Sequence, residues 1–121
     1  MASILIVDDS TFIRKILKGM VAGEGISKVD EATDGYEAVQ MARANNYDLI
    51  FMDIMMPKLN GIEAIKDIKP FNPDVKIVVC TSLDQEGVAK ESIQAGADDY
   101  ITKPFNKEEI QKVLRKHLNM K

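Results

Sequence analysis

Three carboxylates, a hydroxyl and an ammonium group stand where the sequence otherwise runs apolar. Asp8 and Asp9 follow Ile4-Leu5-Ile6-Val7, Asp53 follows Leu49-Ile50-Phe51-Met52, Thr81 follows Ile77-Val78-Val79-Cys80, and Lys103 follows Tyr100-Ile101-Thr102. Taken singly, each is as well explained as a helix cap or a surface charge. Together they matter more, because short apolar runs read as buried strands, and the carboxyl ends of parallel strands share one edge of an open sheet, where ligands bind. Carboxylates crowded there repel one another unless a hard divalent cation sits among them. Magnesium fits better than calcium: it takes one or two carboxylates, waters and a phosphoryl oxygen, and the acid-rich loop of an EF-hand is absent from the sequence. A cation beside a carboxylate, a hydroxyl and a lysine suits phosphoryl transfer, which needs positioning and neutralisation of the equatorial oxygens. A carboxylate can itself be the nucleophile. Asp53 is the best candidate, since it stands alone at the end of the central run, whereas Asp8 and Asp9 form a pair suited to holding an ion.

The elements that must position these groups follow from the same pattern. Short apolar runs alternate with segments of helical spacing from end to end, which indicates an α/β fold of five β/α units with right-handed crossovers and helices on both sides of the sheet. Ile4 to Val7, Leu49 to Met52 and Val75 to Cys80 are almost wholly apolar, as buried parallel strands should be, while Lys28 to Ala32 and Asp99 to Thr102 are more polar and read as edge strands. Phe12, Ile13, Ile16, Leu17, Met20 and Val21 form one helical stripe, and Ile110, Val113, Leu114 and Leu118 another. Three helices should begin at an Asx residue followed three positions on by Glu: Asp34 with Glu37, Asn60 with Glu63, and Asn106 with Glu109. The segment from Gln85 to Ala95 holds Gly87 and only Val88 and Ile93 as larger apolar residues, so it should pack less tightly than its neighbours.

With 121 residues the chain reads as one domain, residues 1–121. Sixteen basic and 19 acidic residues leave a net charge of −3, which offers no general attraction for nucleic acid or anionic lipid. The amino terminus lacks the basic start of a signal peptide, and Asp8-Asp9 cut its apolar run short, so no membrane span and a cytoplasmic location are expected. Cys80, the only cysteine, reads as a buried small hydrophobe. His117, the only histidine, reads as a solvated or dipole-facing side chain near the end of the last helix rather than a phosphoryl donor.

Val7-Asp8-Asp9-Ser10, Met52-Asp53-Ile54-Met55-Met56-Pro57 with Gly61, Cys80-Thr81-Ser82, and Ala95-Gly96-Ala97-Asp98-Asp99-Tyr100 followed by Thr102-Lys103-Pro104-Phe105 resemble response-regulator receiver domains. The resemblance covers essentially the whole chain, and although Asp-Asp or Lys-Pro alone is a weak signal, the ordered set is specific. It implies a flavodoxin-like (βα)5 three-layer sandwich whose five-stranded parallel sheet has the order 2-1-3-4-5, an order carried over from the family. It also implies that Asp8, Asp9, Asp53 and the backbone carbonyl of Met55 hold Mg2+, and that Thr81 and Lys103 bind the phosphoryl group once Asp53 has accepted it. Lys103–Pro104 would be a cis peptide. Tyr100 would turn inward as Thr81 moves, although by itself it is equally a half-buried strand tyrosine. The surface so altered would comprise the 85–95 helix, the Tyr100 strand and the last helix.

In function, the resemblance implies a signalling switch of a two-component system, not a conventional enzyme: it would catalyse only its own phosphorylation and dephosphorylation, with a sensor histidine kinase as donor. The stretch from Asp8 to Lys15 resembles single-domain chemotaxis regulators, implying a monomer that binds a motor-switch or adaptor protein and is reset by a phosphatase. A relay intermediate that passes its phosphoryl group to a histidine phosphotransfer protein would carry the same site. No DNA-binding segment follows Lys121, so no transcriptional output of its own is expected. A phosphohydrolase of the haloacid dehalogenase type would place a second Asp where Met55 stands, and a flavodoxin-type carrier would need a phosphate-cradling loop where Asp8-Asp9 would repel the ligand. Met55 has no group to orient an attacking water, so slow dephosphorylation is expected; it could equally be a gap-filler.

Overall fold

Strand and helix alternate throughout the computed structural model, which describes residues 2–54, 60–82 and 86–118. In chain order they are β1 (Ser3–Val7), α1 (Thr11–Ala22), β2 (Lys28–Ala32), α2 (Gly35–Ala44), β3 (Leu49–Asp53), α3 (Gly61–Ile68), β4 (Lys76–Ser82), α4 (Glu86–Ala95), β5 (Asp99–Lys103) and α5 (Lys107–Leu118). The strands pair in parallel in the order β2-β1-β3-β4-β5. This is the expected flavodoxin-like (βα)5 three-layer sandwich.

Side chains of successive strand residues point to opposite faces, and this divides the core. Ile4 and Ile6 of β1, Leu49 and Phe51 of β3, and Val78 and Cys80 of β4 pack with Leu17 and Val21 of α1 and Ile110, Val113 and Leu114 of α5. Their alternates Leu5, Val7, Ile50, Met52, Ile77 and Val79 pack with Ala38, Val39 and Ala42 of α2 and Ile62, Ala64, Ile65 and Ile68 of α3, with Val88 and Ala95 of α4 against the same cluster. Both faces of β1 and β3 are therefore buried, and β2 and β5 are the edges, as their polarity indicated.

Local signals set the helix starts. The side chains of Asp34, Asn60 and Asn106 accept from the backbone N–H of Glu37, Glu63 and Glu109 at 2.8, 3.0 and 2.7 Å. Ser10 caps α1 in the same way, from Ile13 N–H at 3.3 Å, a cap not singled out in the sequence. The expected 75–80 strand instead runs over Lys76–Ser82, because Thr81 and Ser82 pair with Thr102 and Lys103 of a β5 that is itself one residue longer. In α4, Ile93 faces outward and the buried positions are Ala89 and Ser92, whose hydroxyl donates to the Ala89 carbonyl at 2.6 Å. Small side chains thus seat this helix. Gln85, placed at its start by the sequence, lies outside the described residues.

His117 lies in the last turn of α5, as expected, but it is not solvated. Its side chain is only 9% exposed, and Nε2 lies 3.0 Å from Asp99 Oδ2 at the start of β5, because α5 folds back along that edge strand. Among the described residues, no helix is long and apolar enough to cross a membrane.

Candidate functional site

The parallel register builds the site. Val7 is in step with Met52, and Asp53 with Cys80, so Asp8 leaves β1 beside the last residue of β3, while Thr81 lies one step past Asp53's partner. Ser82 in turn pairs with Lys103. Asp8, Asp53 and Thr81 are buried and Asp9 is exposed. Carboxylate oxygens of Asp8, Asp9 and Asp53 all lie within 4.8 Å of one another.

Lys103 holds the cluster together: its Nζ is 3.0 Å from Asp8 Oδ2 and 3.3 Å from Asp53 Oδ1. Burial works against its charged form, but the hydrogen bond to Asp8 and the negative charge of Asp53 outweigh burial and raise its pKa. For Asp53 the balance goes the other way. Burial first, and the Asp8 charge next, push its carboxyl up to about 6 despite the opposing pull of Lys103. One ammonium is insufficient compensation for these carboxylates, and a divalent cation would supply the remainder. The oxygen-only donor set, with two members buried and one open to solvent, fits Mg2+ and the waters it retains.

The supporting contacts are specific. Asp8 Oδ1 accepts from Ser10 N–H at 2.9 Å, and Asp8 N–H donates to the Ala32 carbonyl at 3.1 Å. Behind Asp53, Gly61 N–H donates to the Ile54 carbonyl at 2.9 Å, and any Cβ at residue 61 would collide with the Asp53 carbonyl and sit 2.8 Å from Ile54 Cα. That explains the glycine in the motif. The Lys103–Pro104 peptide is cis. Thr81 Oγ1 donates to the Ser82 carbonyl at 3.2 Å. Tyr100, 48% exposed, stands on the outer edge strand away from the carboxylates. Met55, Met56 and Pro57 lie outside the described residues. Cys80 is buried within the core, which pushes its thiol up and leaves it a packing residue.

Two long-range contacts were missed in the sequence, Arg14 at the site and Lys69 at the opposite, amino-terminal edge of the sheet, before the starts of β4 and β5. Arg14 reaches the Asp8 carbonyl and Glu31, and Lys69 bonds the Val75 carbonyl at 2.6 Å and Asp98 at 2.8 Å, with Asp98 also accepting Ile77 N–H at 2.9 Å. Both pairs join residues distant in sequence, and nothing in local spacing announces them.

An open parallel sheet that gathers carboxylates and one lysine at its carboxyl edge defines a class of small α/β domains with an acidic, cation-competent site. The response regulator receiver domain profile matches residues 4–115, and the chain belongs to that family, the receiver domains of two-component signalling. The chemotaxis protein CheY of Thermotoga maritima is 42% identical over 113 residues, covering 93% of this chain and 94% of that protein. Among solved structures, a chain of the CheX–CheY–BeF3–Mg2+ complex from Borrelia burgdorferi is 31% identical with a TM-score of 0.89, over 99% of this chain and 90% of that one. A chain of the co-crystal of the Saccharomyces cerevisiae histidine phosphotransfer protein Ypd1 with the receiver domain of its downstream regulator Ssk1 is 30% identical with a TM-score of 0.87, over 96% and 88%.

Proposed function

We propose that Asp53 accepts a phosphoryl group from a phosphohistidine of a sensor histidine kinase and that the phosphorylated domain signals by binding another protein. The observation that carries this reading is the Lys103 ammonium shared between buried Asp8 and Asp53 beside a third carboxylate. In the transfer, a carboxylate oxygen of Asp53 forms the new O–P bond as the P–N bond breaks and the imidazole leaves. Asp8, Asp9, Asp53 and the backbone carbonyl of Met55 would hold Mg2+, which would supply neutralisation of the phosphoryl oxygens. Lys103 then exchanges a carboxylate for a phosphoryl oxygen, and the Thr81 hydroxyl donates to another. Moving Thr81 frees space that Tyr100 enters, which couples Asp53 to the face formed by α4, β5 and α5. The switch catalyses only its own phosphorylation and dephosphorylation.

The similarity to CheY proteins favours chemotaxis as the setting: a cytoplasmic monomer whose phosphorylated form binds a motor-switch or adaptor protein, with a phosphatase to reset it. A second reading is a relay intermediate that passes its phosphoryl group to a histidine phosphotransfer protein; the Ssk1 receiver bound to Ypd1 supports contact of this fold with such a protein, although that regulator lies downstream of it. The test is labelling with a small phosphodonor in the presence of Mg2+. Label that requires Mg2+ and is lost in Asp53→Asn supports the acceptor assignment, and no such label refutes it. Passage of the label to a histidine protein from cell extract favours the relay, whereas retention with a newly acquired partner favours direct output.

A further inference from the structure

The Arg14 side chain is 11% exposed although it lies in the polar stretch Arg14-Lys15 of α1, and its guanidinium joins three elements. Nη1 donates to the Asp8 carbonyl at 2.7 Å, Nε to Glu31 Oε1 on β2 at 3.0 Å, and Nη2 to Thr11 Oγ1 at 3.3 Å. The Asp8 carbonyl belongs to the peptide that joins Asp8 to Asp9. Its orientation decides where the Asp9 carboxylate can point, and Asp9 is the exposed member of the acidic cluster. The rest of Asp8 is already fixed, by Ala32 on its N–H and by Ser10 and Lys103 on its carboxylate. Arg14 supplies the remaining constraint.

We propose that Arg14, clamped by Glu31, is a positioning residue that orients the Asp8–Asp9 peptide for Mg2+ binding. The inference rests on the reading of Asp8, Asp9 and Asp53 as the Mg2+ site. A planar fork of donors suits three acceptors lying in different directions, and a lysine ammonium, a compact point charge on a flexible stem, keeps the charge without that fixed geometry. The loss should therefore appear even when charge is conserved. Groups behind the ligands of a metal site typically change affinity by roughly 10–100-fold when removed, and the lower figure is expected for an ion that keeps much of its hydration.

The experiment measures the Mg2+ dissociation constant by calorimetric titration of the folded full chain, for wild type, Arg14→Lys, Arg14→Gln and Lys18→Gln. Lys18 touches the same Glu31 at 3.4 Å but is half-exposed and does not reach Asp8, so it controls for a general effect of charge on α1. Arg14→Lys keeps the positive charge and guards against a glutamine variant that does not fold. Arg14→Lys, and Arg14→Gln where it folds, should bind Mg2+ about tenfold more weakly, with Lys18→Gln unchanged. Binding by Arg14→Lys within about threefold of wild type overturns the inference, as does an equal loss in Lys18→Gln; a purely structural Arg14 would lower the melting temperature of the metal-free protein and leave affinity in place. If wild type shows no Mg2+ binding that Asp53→Asn abolishes, the site reading itself fails, and the inference with it.

Discussion

Replacing Asp53 with asparagine should make the metal-free protein more stable at neutral pH while abolishing phosphorylation. Asp53 is buried beside Asp8, and its carboxyl is pushed from its ordinary 3.8 up to about 6. A group raised on folding contributes fully below its unfolded pKa and loses that contribution as pH rises through the folded value. Above about pH 6 the ionised carboxylate therefore weakens the fold, at 1.36 kcal/mol for each pH unit between the two values, or about 3 kcal/mol at most. Solvent reaching the Asp9 side screens part of this, so about 2 kcal/mol is expected. An asparagine is neutral throughout and avoids the cost. Urea denaturation in EDTA should show the variant more stable by about this amount at pH 7.5, with the gap closing as pH falls from about 6 toward 4. Saturating Mg2+ should narrow the gap from the other side, since tenfold excess over the dissociation constant stabilises the wild type by about 1.4 kcal/mol and the variant by much less. A variant less stable than wild type at pH 7.5 without Mg2+, or a gap independent of pH, would refute the reasoning.

Lys103→Met should have the opposite sign: it leaves Asp8 and Asp53 facing each other without their shared cation, and a cost of about 2 kcal/mol in EDTA should shrink on adding Mg2+, measured by the same denaturation. Gly61→Ala drives a Cβ against the backbone of Asp53 and Ile54, which cannot swing aside as a side chain would; the cost should be about 2–3 kcal/mol, and calorimetry should show weaker Mg2+ binding because Asp53 is displaced. Met55→Asn, which supplies an amide able to orient water, should shorten the phosphoryl half-life on Asp53; an unchanged half-life in a phosphate-release assay would show that this side chain does not set the rate.

The strand ends were legible because β1 and β3 are buried on both faces, so their sequences leave polarity only where the chain leaves the sheet. Asp8 and Asp53 therefore stood out. The caps at Asp34, Asn60 and Asn106 were equally legible, since a helix start is specified within four residues. What escaped depends on parallel pairing, which brings together residues that share no local pattern. Arg14 and Glu31 meet only because β2 lies beside β1, and in sequence each looks like an ordinary surface charge. For His117 the place in the last turn of α5 was legible but its burial was not, because its partner Asp99 lies on the strand along which α5 returns.

These long-range contacts differ from the acidic cluster in what they demand of the chain. The carboxylates must stay partly uncompensated to attract a cation, so the region around them cannot be stabilised by neutralising them. Rigidity has to come from elsewhere: from Gly61 allowing α3 to seat against the end of β3, from Ser10 and Ala32 holding Asp8, and from the Arg14 guanidinium fixing the peptide between the two aspartates. A site that draws its affinity from electrostatic repulsion can be compensated only in part by a cation among its carboxylates, so neutral contacts and a cation directed at backbone must hold the rest. Arg14 and Lys103 divide that work: Arg14 aims at the Asp8 carbonyl and leaves the cluster its charge, whereas Lys103 sits among the carboxylates and must be free to change partners when a phosphoryl group arrives.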